Sequence, residues 1–65
     1  MSVWIVEWTD NGKLVKKTFR GKHAQFNAGT FYRYVIKYYD GKKKVCAIEL
    51  VDGKEHQRIT HGGKK

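Results

Sequence analysis

The chain has 65 residues, with 14 Lys and Arg against 6 Asp and Glu, a formal charge of +8, and 40% hydrophobic and 14% aromatic side chains. That length allows one domain burying roughly 60% of its unfolded surface, too little to enclose a deep enzyme cleft, and the aromatic content excludes a disordered basic tail. The single cysteine, Cys46, excludes an intramolecular disulfide, as suits a reducing compartment.

The first predicted element is a hairpin. Asn11-Gly12 tolerates positive φ at both central positions of a type I′ turn, and Asp40-Gly41 and Asp52-Gly53 repeat the signal later. With Asn11 and Gly12 as the loop, Trp4, Val6 and Trp8 oppose Phe19, Lys17 and Val15 on the face that points at the core, and one Trp at least is expected to be buried. Ile5, Glu7 and Thr9 oppose Thr18, Lys16 and Leu14 on the other face, where Glu7 and Lys16 read as an exposed ion pair that aids the register.

Residues 21–29 contain no β-branched side chain and read as a short helical turn closed by Gly29. Thr30 to Tyr39 is dense in aromatic and β-branched residues, which predicts a strand. An alternative joins the two segments, because Phe31, Tyr34, Val35 and Tyr38 also fit helical spacing. That reading gives an α+β chain, ββαββ, with one long helix at about 22–39. Gly29-Thr30 inside such a helix, and the Asp40-Gly41 pair straight after it, favour the strand.

Taking Asp40-Gly41 and Asp52-Gly53 as hairpin loops turns the rest into a three-stranded meander. One face aligns Phe31, Arg33 and Val35 with Leu50, Ile48 and Cys46, and these with Glu55, Gln57 and Ile59. The other aligns Tyr32, Tyr34, Ile36 and Tyr38 with Glu49, Ala47, Val45 and Lys43, beside His56, Arg58 and Thr60. The expected fold class is mainly β: a small five-stranded antiparallel sheet or SH3-like half-barrel made of hairpin, short helical turn and meander. It forms a single domain over 1–61, with 62–65 as a flexible Gly/Lys tail.

The basic excess is spread along the chain: 5 basic and 2 acidic residues over 1–31, 9 and 4 over 32–65, giving +3 and +5. A folded domain of this charge attracts polyanions, of which nucleic acid is the commonest in cells. Tyr32, Tyr34 and Tyr38 with Arg58 between them form a candidate stacking platform, though Tyr is also an ordinary sheet residue. Lys42, Lys43 and Lys44 at a hairpin tip would reach phosphates, and Lys13, Lys16, Lys17, Arg20 and Lys22 form a second basic cluster around the first hairpin.

Catalytic and metal chemistry find little support. Asp10, Asp40 and Asp52 occupy turn positions, His23, His56 and His61 fall at no zinc spacing, and Cys46 sits on the aliphatic face as a core residue. There is no glycine-rich phosphate loop, so no cofactor, metal, small-molecule substrate or enzymatic activity is expected. No stretch approaches membrane-spanning length and the start lacks a signal pattern, which predicts a soluble cytoplasmic or nucleoid-associated protein with no membrane partner.

Trp4, Trp8, Asn11-Gly12-Lys13, Lys16-Lys17-Thr18-Phe19, Lys22 and Ala24 resemble the hairpin-then-helix pattern of arm-type DNA-binding domains of tyrosine recombinases. The predicted ribbon and meander are similar to the SH3-like barrels of archaeal small chromatin proteins, which implies duplex DNA lying on the three-stranded sheet. The expected function is that of a non-catalytic, low-specificity nucleic-acid-binding protein, DNA favoured. The alternative is a small protein-interaction or regulatory module, host- or phage-encoded, that binds a larger protein or forms a homodimer through a strand edge or an aromatic patch.

Overall fold

All three Asn-Gly and Asp-Gly pairs adopt left-handed backbone: φ is 53° and 80° at Asn11-Gly12, 58° and 71° at Asp40-Gly41, and 53° and 78° at Asp52-Gly53. In the computed structural model, which describes residues 2–62, the first and last pairs close hairpins and the middle one does not. The elements are β1 (Ser2–Asp10), β2 (Lys13–Phe19), α1 (Ala24–Tyr38), β3 (Val45–Val51) and β4 (Lys54–His61). The protein is thus mainly β, with four antiparallel strands in one open sheet of order β2-β1-β3-β4 and one helix.

The first hairpin has the expected register, from Trp4 opposite Phe19 to Thr9 opposite Leu14. The segment 30–39 corrects the expectation. It is helical and not a strand, so the fifth strand, the meander and the half-barrel closure are absent among the described residues, and the ββαββ alternative is the arrangement found. The reason is burial. Coiled from Ala24, the chain turns Ala24, Ala28 and Val35 inward at helical spacing, with Phe31, Tyr32, Ile36 and Tyr39 packed beside them. An extended 30–39 would leave Ala24 and Ala28 without that role. The Asp40-Gly41 pair, left-handed at both residues, instead stops the helix: the Gly41 amide donates to the Ile36 carbonyl at 2.8 Å and the Asp40 amide to the Lys37 carbonyl at 3.0 Å.

Helix α1 covers one face of the sheet. Its inward residues meet Trp4 (5% exposed), Val6 (0%), Val45 (0%) and Ala47 (3%), with Trp8 and Phe19 half-buried at the margin. The small Ala24 and Ala28 let the helix backbone lie close over β1 and β3. A second correction concerns the last hairpin. Leu50 opposes Glu55 as expected, but a bulge beside it leaves His56 without a partner, so Ile48 opposes Arg58 and Ala47 opposes Ile59. That one-residue slip puts Arg58 on the uncovered face of the sheet and Ile59 on the helix side. Gly62, at φ 80°, lies so close to the Lys43 and Gly41 carbonyl oxygens that a side chain there would collide with them. The expected tail residues 63–65 lie outside the described residues.

Gly29 sits mid-helix with ordinary backbone, and a Cβ there would meet only the Arg33 Nη1 atom at 3.7 Å, a normal contact. Gly29→Ala is therefore expected to raise the unfolding free energy by about 0.5–1 kcal/mol. A urea titration followed by circular dichroism measures this, and an unchanged or lower midpoint contradicts the helical assignment of residue 29.

Candidate nucleic-acid interface

The helix carries no acidic residue: its charged groups are Arg33 and Lys37. Its outer surface presents Phe26 (72% exposed), Tyr34 (60%) and Tyr38 (69%), so aromatic area unneeded by the core faces water. On the flank beside β2 the rings form a chain. Phe19 and Phe31 have centroids 5.7 Å apart, Phe31 and Tyr34 6.1 Å, Tyr34 and Tyr38 6.2 Å, and Tyr38 and Tyr39 4.9 Å. Trp8 backs it, 5.6 Å from Phe31. Helical spacing of 31, 34 and 38 aligns these rings, and a shallow groove of about 240 Å³ runs beside them.

A lysine caps each end of this chain. The Lys17 ammonium lies over the Phe19 ring at 5.8 Å, and that of Lys43 over the Tyr39 ring at 5.4 Å. The Lys43 ammonium also donates to the Thr9 carbonyl at 3.0 Å, which ties the loop after α1 to the end of β1, and the Tyr39 hydroxyl reaches Asp10 Oδ1 at 3.5 Å. Lys13 and Lys17 share the helix side of β2, because their register partners are Asp10 and Val6. Lys42 and Lys44 are exposed in the loop that enters β3.

The other flank of α1 forms a wider groove of about 660 Å³ toward β4, floored by Trp4, Ala47 and Ile59 and rimmed by Lys22, His23 and Arg33. Tyr32 lines it, half-buried, and burial pushes its phenol above the ordinary tyrosine range, with the neighbouring Cys46 adding to the shift.

The structure therefore divides the residues expected at the site. Tyr34, Tyr38, Lys17 and Lys43 come together on one flank; Tyr32 and Lys22 lie on the other. Lys42 and Lys44 follow the helix in a loop instead of forming a hairpin tip, and exposed Arg20 lies in the link from β2 to α1. Lys16 and Arg58 lie on the opposite face of the sheet. Arg58 is also engaged: its Nε and Nη2 donate to the two Glu55 carboxylate oxygens at 3.1 and 3.0 Å, and its Nη1 lies 3.8 Å from Glu7 Oε2. Glu55 foremost holds that guanidinium above its ordinary range. Glu7, opposite Lys16 in register, thus pairs with Arg58. Sequence reasoning missed Arg33, Lys37 and Phe26, and the signal was available in the helical reading, which sets 26, 33 and 37 on the outer surface.

Among the described residues no three His, Cys, Asp or Glu side chains come together to hold a metal, and no helix is long and apolar enough to cross a membrane. The Cys46 sulfur is buried and lies 3.6 Å from the Thr60 hydroxyl. Compared with protein-family models, curated proteins and solved structures, the chain matches none.

Two carboxylates, exposed Glu55 and half-buried Glu49, respond to acid. Hydrogen bonds from Gln57 and then Ser2 hold Glu49 below its ordinary value, and Arg58 does the same for Glu55. A carboxyl whose folded pKa is depressed contributes stability above its unfolded value and loses it as pH falls through the folded one. The urea midpoint is expected to drop as pH falls below 4.5, the ordinary value, and Glu55→Gln should remove part of that drop. A midpoint that stays flat to about pH 3 contradicts both assignments.

Proposed function

We propose that this protein is a non-catalytic, low-specificity nucleic-acid-binding protein, with DNA the favoured ligand, and that it binds through the helix side of the sheet. The reading is carried by one observation: the ring chain from Phe19 to Tyr39 has a lysine at each end and two broadly exposed tyrosines at its centre. Rings at this spacing accept unstacked bases, and every base has a face to offer, so stacking supplies affinity without sequence preference. Lys13, Lys17, Lys37 and the loop lysines 42–44 supply phosphate neutralisation, against which the helix sets no acidic residue. Single-stranded segments suit this surface better than duplex, whose bases present edges and not faces.

Read from sequence alone, the tyrosines fall on a sheet face. Moving them to a helix changes the geometry of the proposal but keeps its chemistry: cations beside exposed rings.

Stacking and charge separate in one titration. Fluorescence anisotropy with a labelled oligothymidine at rising salt is expected to show Tyr34→Ala/Tyr38→Ala weakening binding by about 1–3 kcal/mol per lost stacked base, with an unchanged salt slope. Lys13→Gln/Lys17→Gln/Lys37→Gln should flatten the slope by about 0.7 per lost phosphate contact, about two units in all. Full-strength binding by both variants, or no binding by the unaltered protein at low salt, removes this surface as a nucleic-acid site.

A further inference from the structure

The wider of the two grooves beside α1 lies where the helix stops short of covering the sheet. The helix packs chiefly on β1, β3 and β2, so Ile59 of β4, on the helix side, stays 45% exposed. Gly29 lines the helix wall of this groove without a side chain. Its chain neighbours and helix backbone aside, only Arg33 Nη1, at 3.7 Å, comes within 4 Å of where a Cβ would stand. A glycine inside a helix sacrifices stability, and here the space it leaves opens the groove.

Two cations and a histidine stand around that opening. Lys22, His23 and Arg33 line the groove, and among the described residues none of the three forms an ion pair. No carboxylate lines it: Glu49, the one acidic residue of β3, lies outside the lining and accepts from Gln57. Phe26, 72% exposed, and half-buried Tyr32 share the lining with Ile59. At about 660 Å³, against about 240 Å³ beside the ring chain, the groove has the size of a small-ligand site.

We propose that this groove holds one nucleotide of a bound single strand, its base against Phe26, Tyr32 and Ile59 and its phosphates on Lys22 and Arg33. The inference rests on the nucleic-acid reading above and adds a second contact to it. A ligand for this groove must be anionic where it meets the rim and apolar where it meets the floor, and a nucleotide combines the two. An acidic peptide meets the charge as well, but the surface continues in the way a strand requires. Arg33 and Lys37, one turn apart on the helix, lead from this groove toward Tyr34 and Tyr38 of the ring chain, and no acidic residue of the helix interrupts them. One strand crossing the helix thus meets cations and rings along its whole path.

Anisotropy titrations with a labelled oligothymidine of about 12 nucleotides test this. Gly29→Leu fills the opening with a better helix former, so the fold is kept. It should weaken binding about tenfold, whereas Gly29→Ala, which adds a single carbon, should cost about twofold at most. Lys22→Gln/Arg33→Gln should flatten the salt slope by about 1.4, at about 0.7 per phosphate. On an abasic strand of the same length, which offers phosphates without bases, Gly29→Leu should have little effect. Binding that Tyr34→Ala/Tyr38→Ala weakens and Gly29→Leu leaves unchanged overturns this proposal alone. So does an equal loss from Gly29→Ala and Gly29→Leu, or a loss from Gly29→Leu that is as large on the abasic strand. In an NMR titration, Gly29 and Ile59 amide signals that move as far with polyglutamate as with oligothymidine assign the groove to an acidic protein segment and overturn it too. No binding of oligothymidine by the unaltered protein at low salt overturns this proposal together with the reading it rests on.

Discussion

The close seat of α1 on β1 is the constraint from which the two surfaces of this protein follow. Ala24 and Ala28 carry only a methyl group, too small to hold the helix away, so it settles over Trp4 and Val6, and Phe31, Val35 and Tyr39 close the layer toward its C-terminal end. One helix cannot cover four strands on both faces. The sheet is left with one face under the helix and one bare, and the chain must solve a different problem on each.

On the covered side the solution is aromatic excess. The core takes Trp4, Val6, Val45 and Ala47 and needs little more, so Tyr34, Tyr38 and Phe26 remain outside. Their flanking cations have few competing carboxylates: Asp10 accepts from Tyr39, and Glu49 accepts from Gln57 at 2.9 Å. On the bare side the solution is an ion-paired strap. Arg58 crosses β3 from Glu55 toward Glu7, which shelters Ile48 and Cys46 to 6% and 8% exposure without any second layer. The arginine stem supplies apolar cover while its head keeps its partners, a use of amphipathic side chains suited to a domain too small for two layers of helix.

These arrangements were legible to different degrees in the sequence. Asn11-Gly12 between alternating runs has one good solution, and the whole β1–β2 register follows from it. The helix was harder to see, because local signals disagree with what burial requires. Thr30 to Tyr39 has strand composition, and Gly29 costs about 1 kcal/mol in a helix interior. Both are outweighed by seating Ala24, Ala28 and Val35 on the sheet, which no local window contains. Asp40-Gly41 misled for a related reason: consecutive left-handed residues serve a hairpin or a helix end equally well, and only the preceding chain decides. The bulge at His56 has no local signal, and through it Arg58 moved from the expected site to the opposite face. Tyr34, Tyr38, Lys17 and Lys43 met despite the wrong secondary structure, since positions 34 and 38 share a face in a strand and in a helix alike.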